Sequence, residues 1–435
     1  MPDRCRSGRR EGHVKGLFIS LVALIAASWM PSARSAANPF PAPTGAYAVG
    51  RTQFHWTDTS RVDPTTPSHH REIAVWVWYP AAPRPGAVQA DWLPGKWQGF
   101  LSSQLIKSKP DVGDGAEAIH THAYSDAAFA ADGKTLPILV FSPGMSMVPL
   151  AYSNLIEDVV SHGYVVAGIV PTSYSYTVLS TGRVVPGSNP LGQMPPGGVR
   201  PKEFGRRLAE DQAKLGQVAV VWSADASFAL TELQKLNVTA GSLFRGRLDL
   251  EHVGVFGHSQ GGSTSLLVGK NDARVSAILV LDGMLPQSLA HGETLPKPVL
   301  VLRSDLPGAP GGGPIRLPGV AGAPSGPPAD RSLPPPMNPL MNYGSLLRTA
   351  RPGYDLKLAG SLHPFSSDLP VLNLAVKGSP GMPPMPSSGS IDPVRALAVT
   401  KAYVEAFFDQ YLRGAKSALL NGPSAVYPEV IWQRN

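Results

Sequence analysis

Cysteine is nearly absent from this chain of 435 residues: Cys5 is the single example. It precedes the first apolar run, so it is not placed as a lipoprotein cysteine. Everything beyond that segment lacks a thiol, a disulfide and a cysteine metal site. Charge is also scarce, at 16% of residues. The formal charge of +7 falls to +3 without the six basic and two acidic residues of the first 36 positions. No basic stripe is left, which argues against a nucleic-acid partner. Apolar runs are short. The run at 16–27 falls below the roughly 20 residues that cross a bilayer, so no stable membrane span is expected. There is no internal repeat. His120 and His122 have the spacing of metal ligands on one strand face, but no third ligand is in view, and no metal site is assigned.

What the chain does have is apolar content, 43%, enough to bury a sizeable core, and its length suits one large α/β domain or two small ones. Its first 36 residues read as a cleaved secretory signal, which implies a secreted or periplasmic protein. Basic residues from Arg4 to Lys15 lead into the apolar run, and small residues follow at Ser35-Ala36-Ala37. Cleavage after Ser35 or Ala37 is expected. Arg9-Arg10 hints at a twin-arginine signal, without the residues that usually follow.

The most informative stretch is Val253-Gly-Val-Phe-Gly-His-Ser-Gln-Gly-Gly262. A short apolar strand runs into Gly257-His258-Ser259-Gln260-Gly261, and a helix begins. This is the pattern of a nucleophile elbow, in which a sharp strand-to-helix turn lifts one serine above a sheet. The turn needs small residues two before and two after the serine, and Gly257 and Gly261 stand there. The helix that follows aims free N–H groups and its positive dipole end at the reaction site.

The surrounding pattern is α/β. Residues 46 to 80 read as a β-hairpin, with strands Tyr47 to Trp56 and Glu72 to Tyr79. In the irregular stretch from 81 to 134, Trp92 and Trp97 read as surface anchors. Leu136 to Met147 is a buried strand ending in a glycine loop. Helix Ala151 to His162 and strand Tyr164 to Val170 complete a strand–helix–strand unit, which implies a parallel sheet. A long helical region from Phe204 to Leu236 reads as one helix or two. Buried strands follow at Ala277 to Asp282 and Pro298 to Arg303, and a short one at Tyr354 to Leu358. The last helix runs from Pro393 to Arg413, capped by Asp392 and stopped by Gly414. Three loops interrupt this pattern, at about 171–204, 306–340 and 377–390. The middle one carries eleven prolines and reads as a surface insertion or a flap over the site. The expected architecture is an α/β-hydrolase fold: a mostly parallel central sheet with helices on both faces, forming a single domain over 37–435.

A serine nucleophile needs a base, and the base needs an orienting carboxylate, in chain order Ser, Asp or Glu, His. Only His291 and His363 follow Ser259. His291 comes before the next strand begins, too early for a base carried after the last strand. His363 follows the strand at 354–358 on a small turn, and is the expected base. Two acids remain open. Asp282 ends one strand and Asp305 closely follows the next, and both fall at the carboxyl edge of the sheet.

Four stretches together resemble the platelet-activating factor acetylhydrolase family and its dienelactone-hydrolase-like relatives. They are Val75-Trp-Val-Trp-Tyr-Pro80; Val140-Phe-Ser-Pro-Gly-Met145 with Tyr152-Ser and Ser161-His-Gly-Tyr-Val-Val166; Gly257-His-Ser-Gln-Gly-Gly262; and Leu281-Asp-Gly-Met284. The resemblance implies a serine esterase that needs no metal or organic cofactor. It places the acid at Asp282 and the base at His363, in His363-Pro-Phe-Ser-Ser-Asp368. It places the oxyanion donors at the backbone N–H groups of Gln260 and Met145. Pro143 departs from the family, where a histidine usually precedes Gly144, and this puts the loop shape in question. Met145, Met147, Val148 and Leu150 fit an apolar acyl pocket or plain core. The implied substrate is a small ester or a lipid ester with a short acyl group. A cutinase-like polyester hydrolase and a non-catalytic binding protein on the same scaffold are the alternatives.

Overall fold

Successive residues of the strand Leu136–Ser142 point into two different cores. Leu139 and Phe141 pack on one side, and Leu136, Ile138 and Val140 on the other. Every residue of this strand is buried, which is why its sequence is a continuous apolar run rather than an alternation. The computed structural model describes residues 38–105, 119–130, 133–191, 201–290, 292–305, 343–376 and 387–433. The expected signal segment, the proline-rich insertion at 306–340, His291 and most of the 377–390 loop lie outside the described residues.

The strands are β1 (Ala48–Val62), β2 (His70–Ala82), β3 (Ala123–Ser125), β4 (Ala128–Phe129), β5 (Leu136–Ser142) and β6 (Val165–Ile169). After a small pair, β7 (Thr177–Val178) and β8 (Val184–Val185), come β9 (Leu248–His258), β10 (Val275–Leu281), β11 (Val299–Ser304), β12 (Gly353–Leu358) and β13 (Val430–Trp432). Among the described residues they form one 11-stranded sheet in the order β13-β12-β11-β10-β9-β5-β6-β2-β1-β3, with β4 on β2 and the small pair apart. From β6 through β12 every pairing is parallel. The expected hairpin is present, with Ala48 opposite Ala81 in an antiparallel register.

Four helices cover the sheet: α1 (Ser153–Ser161), α2 (Pro201–Val238), α3 (Gln260–Asn271) and α4 (Pro393–Leu412). Helices α1 and α4 pack on the Leu139 side, and α2 and α3 on the Ile138 side. The long helical region is thus one continuous helix. Asp392 caps α4 by accepting from the Arg395 N–H at 2.9 Å, with Pro393 in its first turn.

Trp92 and Trp97 are not surface anchors. Both are buried, at 0% and 3% exposure. Trp92 Nε1 donates to Asp368 Oδ2 at 3.0 Å, and Trp97 meets Trp76 edge-on at 5.9 Å. An indole enters a core once its N–H has an acceptor, and here the acceptor lies 276 residues away. Asp368 also accepts from the Ser153 and Asn154 N–H groups at 2.9 and 3.0 Å. It therefore caps α1 from the segment that carries His363. His120 and His122 serve structural contacts. His120 Nδ1 lies 3.2 Å from Asp91 Oδ1, and His122 Nε2 meets the Phe40 carbonyl at 2.9 Å.

Helix α1 also carries Glu157, which is buried and accepts the His122 N–H at 2.9 Å. Burial pushes its carboxyl up to about 7, although Arg51 and the His122 N–H pull the other way. A raised carboxyl pKa means that the folded chain binds the proton more tightly than the unfolded chain. Stability at this residue is therefore complete below about 4.5 and falls as pH rises through about 7. The loss approaches roughly 3 kcal/mol. Glu157→Gln should flatten that stretch of the stability–pH curve in denaturant melts at pH 5, 6, 7 and 8. Parallel curves for the two proteins would refute it.

Candidate active site

The turn after β9 is strained at one residue. Ser259 has φ 56° and ψ −120°, a conformation that a side chain rarely adopts and that persists only where its surroundings enforce it. The enforcement is visible. The Ser259 N–H donates to the Leu281 carbonyl at 2.9 Å, which ties the turn to the end of β10. A Cβ on Gly257 would lie 2.4 Å from the Gly261 carbonyl carbon, and one on Gly261 only 1.9 Å from the Ser142 carbonyl oxygen. Backbone passes through the space that those side chains would fill, so both positions require glycine.

The segments after two further strands of the sheet converge on this serine. Asp282 directly follows β10, is buried and has φ 49°. His363 follows β12. His363 Nδ1 lies 2.6 Å from Asp282 Oδ2, and His363 Nε2 lies 2.9 Å from Ser259 Oγ. The His363 side chain keeps 46% of its exposure, whereas that of Asp282 has none. Such an arrangement leaves the serine and the imidazole open to a substrate and the carboxylate dry.

Asp282 is held from a second side. Ser304, the last residue of β11, donates its N–H to Oδ1 at 2.9 Å and its hydroxyl to Oδ2 at 2.6 Å. Burial alone would raise the Asp282 pKa. The hydrogen bond and charge of His363, with the two Ser304 bonds, outweigh it and hold the carboxyl below its usual value. Asp305 is turned elsewhere. Its carboxylate accepts from Lys357 Nζ and from the Gly360 N–H, both at 2.9 Å. Of the two acids left open by position, only Asp282 is brought to His363.

Gln260 and Met145 flank the serine from two loops. Gln260 begins α3. Met145 lies after β5 in a turn closed by Met147 N–H on the Gly144 carbonyl at 3.0 Å, with Ser146 at φ 62°. Pro143 therefore does not prevent a tight loop. A Cβ on Gly144 would sit 3.5 Å from Ser259 Cβ, so this loop is in direct contact with the elbow. Among the described residues, neither the Gln260 nor the Met145 N–H donates to another protein group. Val148 and Leu150 are fully buried and belong to the core, while Met145 is half-buried against Tyr174 and Trp222.

Ser304 escaped the reading of the sequence, and two buried neighbours of the elbow, His258 and Tyr152, stood in its motifs without a role. A small polar residue closing a β-strand just before an acid is too common a pattern to single out. Among the described residues no three metal-ligating side chains are grouped, and no helix is long and apolar enough to cross a membrane.

Known proteins carry the same plan. The solved structure of a ferulic acid esterase from Streptomyces cinnamoneus superimposes with a TM-score of 0.67 at 27% identity, covering 91% of this chain and 99% of its own. A protein of Arthroderma benhamiae named "Probable 1-alkyl-2-acetylglycerophosphocholine esterase" is 25% identical over 96% of this chain and 99% of its own length. The platelet-activating factor acetylhydrolase of Canis lupus familiaris is 26% identical over 40% of this chain and 41% of its own length. The family described as platelet-activating factor acetylhydrolase, isoform II, matches residues 32–176 and 211–306, more than half of the chain. The chain therefore belongs to that family and is a carboxylic ester hydrolase built on the α/β-hydrolase fold.

Proposed function

We propose that the protein is a secreted serine esterase that cleaves short-acyl esters through an acyl-enzyme, with Ser259, His363 and Asp282 as its triad. The observation that carries this reading is the unbroken line from Asp282 Oδ2 through His363 to Ser259 Oγ, with steps of 2.6 and 2.9 Å. His363 Nε2 takes the Ser259 proton as Oγ attacks the ester carbonyl. Asp282 accepts from Nδ1–H, fixes the tautomer and stabilises the imidazolium. The Gln260 and Met145 N–H groups receive the oxyanion, each lowering the barrier by on the order of 3 kcal/mol. His363 then protonates the leaving alcohol. A water, deprotonated by the same nitrogen, releases the acid and restores Ser259.

The name of the fungal relative favours an acetyl ester, on a glycerophospholipid or a smaller alcohol. A second reading is a hydroxycinnamoyl ester, by analogy with the streptomycete ferulic acid esterase. The feature that favours it is the aromatic wall behind Met145, where Tyr174 and Trp222 meet edge to face at 6.1 Å. Export follows from the basic and apolar pattern of the first 36 residues.

The test is hydrolysis of p-nitrophenyl acetate, butyrate and octanoate beside methyl ferulate, with a fluorophosphonate used to label the serine and mass spectrometry to locate it. Acetate should be the best substrate, and the label should fall on Ser259. A preference for ferulate would select the second reading, and one for octanoate a lipase-like or polyester-cleaving enzyme. An inert, unlabelled protein would overturn the esterase mechanism.

A further inference from the structure

His258, just before the nucleophile, is buried beside His363, their ring centroids 4.5 Å apart. Its two nitrogens face in different directions. Nε2 lies 2.8 Å from the backbone carbonyl of His363, and Nδ1 lies 2.8 Å from the Tyr152 hydroxyl. That hydroxyl also receives the Gly144 N–H at 3.2 Å. The partners fix every proton. A carbonyl only accepts, so Nε2 carries the hydrogen. A neutral imidazole then presents a lone pair at Nδ1, so Tyr152 donates to it and keeps its own lone pairs for Gly144.

We propose that Tyr152 and His258 are positioning residues, forming one relay that runs from the Gly144 N–H through the Tyr152 hydroxyl and the His258 ring to the His363 carbonyl. The relay rests on the triad and oxyanion assignments above. Its two ends are the parts of the site that must move least. Gly144 precedes the Met145 N–H in the oxyanion loop, and the His363 carbonyl belongs to the residue that supplies the base. These two loops follow strands β5 and β12, which are not neighbours in the sheet. No strand pairing sets their separation; the Asp368 bonds to Ser153 and Asn154 tie the segments that follow, and the relay ties the two loops themselves through side chains. It also keeps His258 out of the proton transfer. Burial and the nearby His363 push its pKa down to about 3, and Tyr152 occupies its free lone pair. A second imidazolium so close would oppose the charge that His363 acquires as Ser259 attacks.

The test is Tyr152→Phe, which removes one oxygen from a ring otherwise held by Phe141 at 4.9 Å and should fold. On p-nitrophenyl acetate we expect kcat to fall about 10- to 100-fold through misplacement of reacting groups, with KM within about twofold. Phosphonate labelling of Ser259, which uses the same base and oxyanion site, should slow by the same factor. His258→Gln keeps an N–H able to reach the His363 carbonyl but breaks the link to Tyr152. If the relay acts as one unit, the double variant is no slower than the slower single. A Tyr152→Phe enzyme within twofold of wild-type kcat would overturn the proposal. So would effects that simply multiply in the double variant, because Tyr152 and His258 would then act separately. In both cases wild-type labelling at Ser259 would leave the triad reading intact. A wild type that neither turns over nor labels would remove that reading, and the relay with it.

Discussion

Ser259→Ala is expected to lower kcat for ester hydrolysis about 10⁶-fold. Asp282→Asn should lower it about 10⁴-fold, with little change in KM. The two effects should not multiply. Once the nucleophile is gone, a well-held imidazole has no proton to take, so the double variant should match Ser259→Ala. Asp282→Asn acts through the tautomer. Ser304 donates to both carboxylate oxygens, so an amide here keeps its place by turning its oxygen toward Ser304 and its NH₂ toward His363. The imidazole must then present a lone pair at Nδ1, which puts its hydrogen on Nε2, where Ser259 needs an acceptor. Asp305→Asn is the matching control. Its carboxylate meets Lys357 and Gly360 rather than His363, so kcat should move less than about threefold, as for a change outside the reacting groups. Steady-state kinetics on p-nitrophenyl acetate reads all four proteins. A large loss in Asp305→Asn with an active Asp282→Asn would reverse the assignment of the acid.

How far this site could be read in the sequence follows from where its contacts lie along the chain. Strands β5, β6, β10 and β11 and the second half of β9 are largely buried on both faces, so each is an apolar run that announces itself. The elbow is local as well: serine, its two glycines and the start of the following helix fall within a few residues of one another. The proposed base was reachable because only two histidines follow the serine and only one comes after the last parallel strand. The acid was not settled by position, because Asp282 and Asp305 both follow strands that end on the same edge. What separates them is register across the β10–β11 pair, where Leu281 faces Leu302 and Ser304 is left to reach back to Asp282. Tertiary partners of this kind leave no mark on a single sequence. The same holds for Trp92, whose indole finds Asp368 across most of the chain. An exposed ring was the natural expectation for a tryptophan among glycine and proline, and the distant acceptor reversed it. The contacts of His258 and Tyr152, which stand in the quoted motifs, were invisible for the same reason. The elbow pattern leaves the residue before the serine unrestricted, and only the fold shows what that side chain touches.

Among the described glycines, Gly261→Ala should be the most damaging alanine substitution. The added Cβ would meet the Ser142 carbonyl oxygen at 1.9 Å and the Pro143 oxygen at 2.5 Å, and neither is the mobile end of a side chain. To make room, α3 must retreat from the end of β5, or the loop that holds Met145 must shift. The first response moves Gln260 N–H and the second moves Met145 N–H, so either relief also spoils the oxyanion geometry. Stability should fall by about 3 kcal/mol or more, as for other overpacked core sites. Whatever folds should show kcat reduced at least 10²-fold, the usual loss when an oxyanion donor is misplaced. Gly216→Ala in α2 is the internal comparison, since a Cβ there has open space around it. That change should add roughly 0.5–1 kcal/mol by removing a glycine from a helix interior. Urea melts and acetate-ester kinetics on the two variants separate a steric cause from a general intolerance of alanine. An active, stable Gly261→Ala protein would mean that the backbone of the elbow can yield. The strained φ of Ser259 would then no longer count as something its neighbours impose.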